Sequence, residues 1–161
     1  MKPKIYTRLG AGALALAVMA SGLPALAQDA SLRPNFGSVN LRAGFTPDPM
    51  VVRITAGGDR DSNDASSLGG QCVGMITDAP DYRINYTAEA GVKLTIRVRS
   101  NADTTLVVNG PNGNWYCNDD IGSSTNPGVV YRTPQSGVYD VWVGTYGETP
   151  APAEIRITEL E

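Results

Sequence analysis

Two cysteines are the residues whose chemistry is easiest to assign from type alone. They are Cys72 and Cys117, and the chain has no histidine. A thiol without an imidazole neighbour lacks the usual base that turns it into a nucleophile. In an exported chain two cysteines ordinarily form one disulfide. We therefore predict a bond between Cys72 and Cys117, with two free thiols as the alternative.

Three aspartates beside predicted turns are the next candidates: Asp103, Asp119 and Asp120. Neighbours on a strand point to opposite faces, so Asp119 and Asp120 do not form a glycosidase pair facing one substrate. Asp103 precedes two threonines, without the glycine and the second copy that an aspartic protease needs. We expect these acids to cap turns, and the alternative is a ligand or calcium site.

A second acidic stretch, DRDSND, places Asp59, Asp61 and Asn63 at the first, third and fifth positions of a calcium loop. The sixth position is Asp64 where such a loop needs glycine, and the twelfth is Gly70 where it needs glutamate. The stretch is therefore a weak calcium candidate beside its simpler interpretation as a solvated loop.

The absence of histidine narrows the enzyme classes. Serine and cysteine triads and most zinc sites depend on imidazole. No recognisable catalytic set remains, so we predict that the protein is not an enzyme. Calcium, bound by the acidic residues named above, is the one cofactor candidate that the sequence offers.

Aromatic residues near Cys117 offer another type of site. Trp115 shares a strand face with Cys117 and should pack against the disulfide, whereas Tyr116 should point to the opposite face. Trp142 shares its face with Asp140, opposite two valines. Tyr116 and Trp142 are therefore the candidate exposed aromatics, which could stack on a sugar or a protein partner.

The amino terminus has the pattern of a secretory signal peptide. Three basic residues precede an apolar run of about ten residues, and a small-residue site predicts cleavage between Ala27 and Gln28. The run is too short to span a bilayer, so we expect no membrane anchor. We predict a signal peptide at 1–27 and one domain at 28–161, in the periplasm or secreted.

The charge of residues 28–161 disfavours nucleic acid as a partner. Three of the 13 basic residues precede residue 28 and all 16 acids follow it, so the net charge is 10 − 16 = −6. Phosphate backbones bind clustered Lys and Arg, and the composition predicts no such cluster. Nucleic acid is therefore not expected as a partner, and anionic lipid surfaces are disfavoured for the same reason.

The elements that must position these residues are short strands. Apolar and polar residues alternate between Gly/Pro turns, as in VKLTIRVRS, where Arg97 and Arg99 share the polar face. The pattern predicts strands near 50–55, 71–76, 81–87, 92–99, 104–109, 114–118, 128–132, 138–145 and 154–159, with a short one near 38–43.

Two further local features belong to this pattern. GPNG at 110–113 should close a hairpin, and residues 56–70 should form a flexible loop. VRIT at 52–55 and IRIT at 155–158 resemble each other, which equivalent edge strands of two sheets would explain. Short strands at this spacing indicate an all-β sandwich or barrel.

Motifs between about residues 80 and 158 resemble the bacterial pre-peptidase C-terminal domain. An Asp-Thr opens a strand, a Pro-x-Gly makes a turn, an Asp-Asp ends the next strand, and Ser-Gly-x-Tyr begins a last strand ending in Val-Gly. In this chain the matching residues are Asp103, Thr104, Pro111, Gly113, Asp119, Asp120, Ser136, Gly137, Tyr139, Val143 and Gly144.

The resemblance implies an antiparallel, jelly-roll-like β-sandwich that accompanies secreted hydrolases. It also implies binding to carbohydrate or protein, or stabilisation by calcium, as in some members of that family. The peptidase that normally neighbours such a domain is missing from this chain, so its activity does not transfer with the fold. We expect a non-catalytic exported module that binds a protein, a polysaccharide or a cell-envelope component. An accessory to a separate secreted peptidase is the alternative.

Overall fold

The structure is a computed structural model that describes residues 28–65, 68 and 72–160. In this part of the chain one 3₁₀ helix, Ser62–Asp64, lies among short strands. The strands are β1 Ser38–Arg42, β2 Met50–Ala56, β3 Arg60–Asp61, β4 Met75–Ile76, β5 Tyr82–Thr87, β6 Leu94–Ser100, β7 Thr104–Asn109, β8 Trp115–Asn118, β9 Gly128–Tyr131, β10 Gly137–Thr145 and β11 Ala151–Thr158.

These strands form two sheets, as the alternating pattern predicts. The larger sheet runs β1-β5-β10-β4-β3, and β10 also pairs with β7, which pairs with β8. The smaller sheet runs β2-β11-β6-β9. The protein is therefore an all-β sandwich. One pair departs from the antiparallel rule, because β1 lies parallel to β5.

The main core lies between the two sheets. It takes the inward residue of each alternating pair, for example Ile96 of β6, Ile155 of β11 and Val141 of β10, all fully buried. Each fully buried side chain of this size stabilises the fold by roughly 1.5–3 kcal/mol. The period-two pattern therefore directs one face of each sheet inward.

A second apolar cluster covers the outer face of the larger sheet. Trp142 and Val107 pack there against Ala65, Leu68, Cys72 and Ile76. The amino-terminal segment lies over the same face, where the Arg83 guanidinium donates hydrogen bonds to the carbonyls of Ala30 and Leu32. The centre of the larger sheet is thus buried on both faces.

The segment predicted as a flexible loop at 56–70 is partly regular. Arg60 and Asp61 form β3 and pair with β4, and Ser62–Asp64 makes a turn of 3₁₀ helix. The strand predicted at 71–76 is correspondingly short, since only Met75 and Ile76 are extended partners. The predicted cleavage point at Ala27 lies outside the described residues, which begin at Gln28. Among the residues described, no helix is long and apolar enough to cross a bilayer.

The predicted hairpin is present. β7 and β8 are antiparallel partners from Asn109–Trp115 to Leu106–Asn118. The turn is closed by hydrogen bonds from the Gly110 amide to the Asn114 carbonyl (2.9 Å) and from the Gly113 amide to the Gly110 carbonyl (2.9 Å). Gly113 has φ +75°, which favours glycine at this position.

Gly58, which follows β2, lies in close contact with the backbone of β4 and of the residue after it. A Cβ at Gly58 would lie 2.1 Å from the backbone carbonyl of Ile76 and 2.4 Å from the Thr77 amide nitrogen. Because backbone atoms cannot move aside, we expect Gly58→Ala to lower the free energy of unfolding by about 1–3 kcal/mol or more. Denaturant titration measures this change. Gly147→Ala, with open space around its Cβ, is the control and should unfold like wild type.

Candidate functional site

The predicted disulfide is present between Cys72 and Cys117, whose Cα atoms lie 5.3 Å apart. It belongs to the second apolar cluster, together with Trp115 as the shared strand face predicts. The Trp115 ring packs against that of Trp142, with centroids 5.3 Å apart. This region is therefore a stabilising layer and offers no reactive thiol.

The prediction that Trp142 is exposed is wrong. Trp142 is fully buried, and its indole Nε1 donates to the carbonyl of Asp78 at 3.4 Å. The prediction that Tyr116 faces outward is also wrong, because its ring packs on the main core beside Tyr131, with centroids 5.0 Å apart. Strand alternation separates two faces correctly but does not tell which face a further layer covers.

The three candidate acids Asp103, Asp119 and Asp120 lie at the turns where they were predicted. None of the side-chain hydrogen bonds or ion pairs found among the described residues involves them. The turn before β9 is instead held by amides: the Gly128 N–H donates to Asn118 Oδ1 (2.9 Å), and the Ser100 N–H and the Thr104 hydroxyl donate to Asn126 Oδ1. The capping role expected of the aspartates thus belongs to Asn118 and Asn126.

The weaker calcium candidate, the stretch DRDSND, also has a local structural role. Asp61 caps the 3₁₀ helix, since its Oδ1 accepts the Asn63 amide at 2.9 Å, and Asp59 lies exposed beside it. Throughout residues 28–65, 68 and 72–160, no three His, Cys, Asp or Glu side chains are grouped to hold a metal ion. Calcium binding by either acidic stretch stays a prediction.

Asp81, which the sequence did not single out, has the most strongly raised pKa among the acids that the structure describes. It is 1% exposed, its Oδ2 accepts the Val143 amide at 2.7 Å, and its Oδ1 accepts Asn35 Nδ2 at 3.4 Å. Burial raises the pKa of Asp81 to about 7, although these two hydrogen bonds oppose the shift. The carboxyl occupies a gap along β10, between Val141, which pairs with the first residue of β5, and Thr145, which pairs with the first residue of β4.

Asp140 is a second buried acid, but it has a cation as partner. Arg83 Nε lies 2.6 Å from Asp140 Oδ1, across the β5–β10 pair. Burial raises the pKa of Asp140, and the hydrogen bond and charge of Arg83 partly offset this effect. Asp81 and Asp140 are therefore engaged inside the fold. Asp81 immediately precedes β5 and Asp140 lies within β10, and neither position distinguishes these acids in the sequence.

The outer face of the smaller sheet gathers arginines from three adjacent strands. Strand register pairs Arg53 of β2 with Glu154 of β11 and Glu154 with Arg99 of β6, while Arg156 pairs with Arg97. We call the four arginines, with Glu154 at their centre, the arginine face. The resembling stretches VRIT and IRIT are neighbouring strands of this one sheet, so the expectation of two different sheets is wrong.

The charge of the arginine face is opposite to that of the whole protein. Four arginines and one glutamate carry a net +3 within a domain of net −6. The prediction that the chain lacks clustered basic residues, which was based on composition, is therefore wrong. Because alternation places Arg97 and Arg99 on the same face of β6, register with β2 and β11 brings them together with Arg53 and Arg156.

Glu154 shows how this face holds a carboxylate. Its Oε1 lies 3.6 Å from Arg53 Nε and its Oε2 lies 3.6 Å from Arg156 Nη1. The Arg53 side chain is 87% exposed, and Arg99 is exposed on the opposite flank of Glu154. A shallow groove of about 350 Å³, which Ser100, Asn101 and Pro152 also line, lies between these arginines.

A second concave feature lies where the edge strands β8 and β9 of the two sheets meet. It is a cavity of about 80 Å³ lined by Pro111, Asn112, Tyr116, Tyr131, Thr133, Gln135 and Tyr139. Tyr131 packs edge-on against Tyr116 and Tyr139, with centroids 5.0 Å away in each case. Burial is the main cause of the raised pKa of Tyr131, and the neighbouring tyrosines raise it further. The phenol therefore stays neutral. We call this feature the tyrosine cavity.

Comparison with known proteins finds structural similarity only. No protein-family model and no curated protein matches the chain. A lysozyme inhibitor, the periplasmic PliG of Aeromonas hydrophila, is similar with a TM-score of 0.38 and 14% identity over 76% of this chain and 96% of that chain. The pre-peptidase C-terminal domain of a collagenase from Bacillus anthracis is similar with a TM-score of 0.46 and 12% identity, over 79% of this chain and 99% of that chain. That domain is of the kind that the motifs at residues 80–158 resemble.

Proposed function

We propose that this protein is a non-catalytic binding domain and that the arginine face contacts a carboxylate-bearing macromolecule outside the cytoplasm. The observation that carries the proposal is the clustering of four arginines on the outer face of one sheet of an acidic protein, with Arg53 and Arg99 exposed and Arg97 and Arg156 half-buried. Such clusters of one charge on a protein of the opposite charge favour electrostatically complementary partners.

Glu154 supports carboxylate as the recognised group. It already sits between two guanidinium groups at 3.6 Å, so the spacing of the arginines suits a carboxylate. Arg99, on the far side of Glu154, has no ion-pair partner among the described residues and can bind a ligand carboxylate directly. The groove beside it is shallow, which suits a polymer chain crossing the sheet better than an enclosed small molecule.

Two features support the non-catalytic and extracytoplasmic parts of the proposal. A perturbed acid in a cleft would suggest catalysis, but Asp81 is sealed inside the fold and accepts a backbone N–H. The disulfide between Cys72 and Cys117 is of the kind that persists in oxidising compartments. The sequence resemblance to a domain that accompanies secreted hydrolases agrees with both features.

The binding proposal predicts a charge-reversal effect. Polygalacturonate and poly-glutamate, as carboxylate polymers on a sugar and a peptide backbone, should bind residues 28–161 with an affinity that falls as salt rises. Arg53→Glu with Arg99→Glu should weaken binding by at least about tenfold, because like charges then meet across the interface. Biolayer interferometry against each immobilised polymer measures the change.

The control is a second double reversal with the same net charge. Arg33→Glu with Arg42→Glu changes two exposed arginines outside the arginine face and should leave affinity within about twofold. Equal losses of affinity in both double variants would mean that net charge alone determines binding. That result would overturn the assignment of binding to the arginine face. Neutral dextran should not bind, and binding of double-stranded DNA through the same arginines would contradict the predicted exclusion of nucleic acid.

A further inference from the structure

Tyr131, which lines the tyrosine cavity, has a hydroxyl group that nothing in the fold uses. The Tyr131 hydroxyl is enclosed and has no hydrogen-bond partner among the described residues. A buried hydroxyl in this state is destabilising, so its presence calls for a partner from outside the chain. A cavity of about 80 Å³ adjoins the Tyr131 side chain.

The other polar groups of the cavity show what remains free. Tyr139 Oη is fully engaged, because it accepts the Gln135 amide at 3.1 Å and donates to the Gln135 carbonyl at 2.8 Å. Tyr116 Oη accepts Asn112 Nδ2 at 3.2 Å, which leaves its own hydrogen to donate. The Thr133 and Gln135 side chains are exposed at the rim. The cavity therefore offers both a free donor and a free acceptor.

The walls of the cavity are held in place before any ligand arrives. The hairpin tip rests on the start of β10, where a Cβ at Gly137 would lie 2.7 Å from Pro111 Cβ. Gly137 also has φ +144°, which favours glycine. Asn112 Oδ1 accepts the Asn114 amide at 3.0 Å within the same turn. The hairpin that carries Tyr116 is thus fixed over the cavity.

We propose that the tyrosine cavity binds the end of a neutral, hydroxyl-bearing ligand, such as the hydroxymethyl group and adjacent ring hydroxyl of a sugar. A hydroxyl both donates and accepts, which matches the free groups of Tyr131 and Tyr116. The cavity of about 80 Å³ exceeds the roughly 10–15 Å³ of such space that one water needs, so a group of several heavy atoms can enter. An ionised group is disfavoured because none of the seven lining residues is charged.

The site is independent of the arginine face, which takes its residues from the outer side of the smaller sheet. A sugar hydroxyl in this cavity and a carboxylate on the arginine face would therefore be separate binding events. Failure of either proposal leaves the other standing.

The test uses methyl α-glucoside, methyl β-galactoside and glycerol as probes and follows the tyrosine ring signals by NMR. At least one probe should shift the Tyr131 and Tyr116 signals saturably. Tyr131→Phe removes only the unpaired hydroxyl, so this variant should bind about three- to tenfold more weakly. It should melt at the wild-type temperature or above, because a destabilising unpaired group has been removed.

Tyr146→Phe is the matched control, since Tyr146 is 63% exposed and lies outside the cavity. It should leave every titration unchanged. Wild-type affinity in Tyr131→Phe would overturn the proposal. The absence of a saturable shift with every probe, up to its solubility limit, would also overturn it, because the cavity then holds water alone.

Discussion

Replacing Cys72 and Cys117 together by alanine is expected to lower the free energy of unfolding by about 4 kcal/mol. The bond closes a loop of 45 residues, and the chain-entropy relation gives about this value for a loop of that length. Cys72 is fully buried, so the change also loosens the packing of the second apolar cluster. A typical domain is stable by about 5–15 kcal/mol, which makes this loss a large fraction of the total.

Guanidinium titration of the oxidised protein, the reduced protein and the double variant measures this effect. Reductant should shift the midpoint of the wild type and leave that of the double variant unchanged. Trp142 should become accessible to acrylamide quenching at lower denaturant once the bond is absent, because Cys72 and Leu68 cover it. Coincident unfolding curves for oxidised and reduced protein would show that the bond contributes little.

Raising the pH from about 4 to about 7 is expected to destabilise the protein through Asp81. Burial raises the native-state pKa of Asp81 to about 7, whereas an unfolded aspartate titrates at about 3.9. Between these values the native state holds a proton that the unfolded state has lost, so the free energy of unfolding falls as pH rises and levels off above about 7. At 1.36 kcal/mol per pH unit the contribution of Asp81 is at most about 4 kcal/mol.

Asp81→Asn isolates this contribution. The amide keeps an oxygen to accept the Val143 N–H and cannot ionise, so the variant should gain stability relative to wild type as pH rises. Asp103→Asn, at an exposed position, should retain the wild-type profile. Denaturant midpoints at pH 4, 5.5, 7 and 8 give the comparison. Parallel profiles for wild type and Asp81→Asn would mean that Asp81 titrates as an ordinary carboxyl.

The acid that matters for stability was therefore not among those that the sequence singled out. Asp103, Asp119 and Asp120 stand beside turns, and turns are where aspartate is expected to cap backbone groups. Asp81 precedes a strand and looks no different in sequence. Its importance comes from the gap between β5 and β4 along β10, which arises only when β10, distant in the chain, pairs with both strands.

Local residue patterns were sufficient for most of the strands, for the hairpin and for the sandwich, but not for the short strands β3 and β4. Alternation in VKLTIRVRS and in β10 directs one side chain in two inward, and GPNG supplies the turn residues of the β7–β8 hairpin. Two cysteines and an export pattern were sufficient for the disulfide. Each of these inferences depends on neighbours in sequence or on simple counting, so a single chain contains what they need.

Burial of the outer sheet face and the two candidate sites were decided only by the tertiary structure. Trp142 is covered because Ala30, Leu68 and Cys72 pack over the larger sheet, which no alternation within β10 can indicate. Arg53, Arg99 and Arg156 are distant in sequence and meet through the register of β2, β11 and β6. Tyr116 and Tyr131 meet because the edge strands of different sheets approach each other. Non-local pairing placed these side chains together, and the residue types alone carry no record of it.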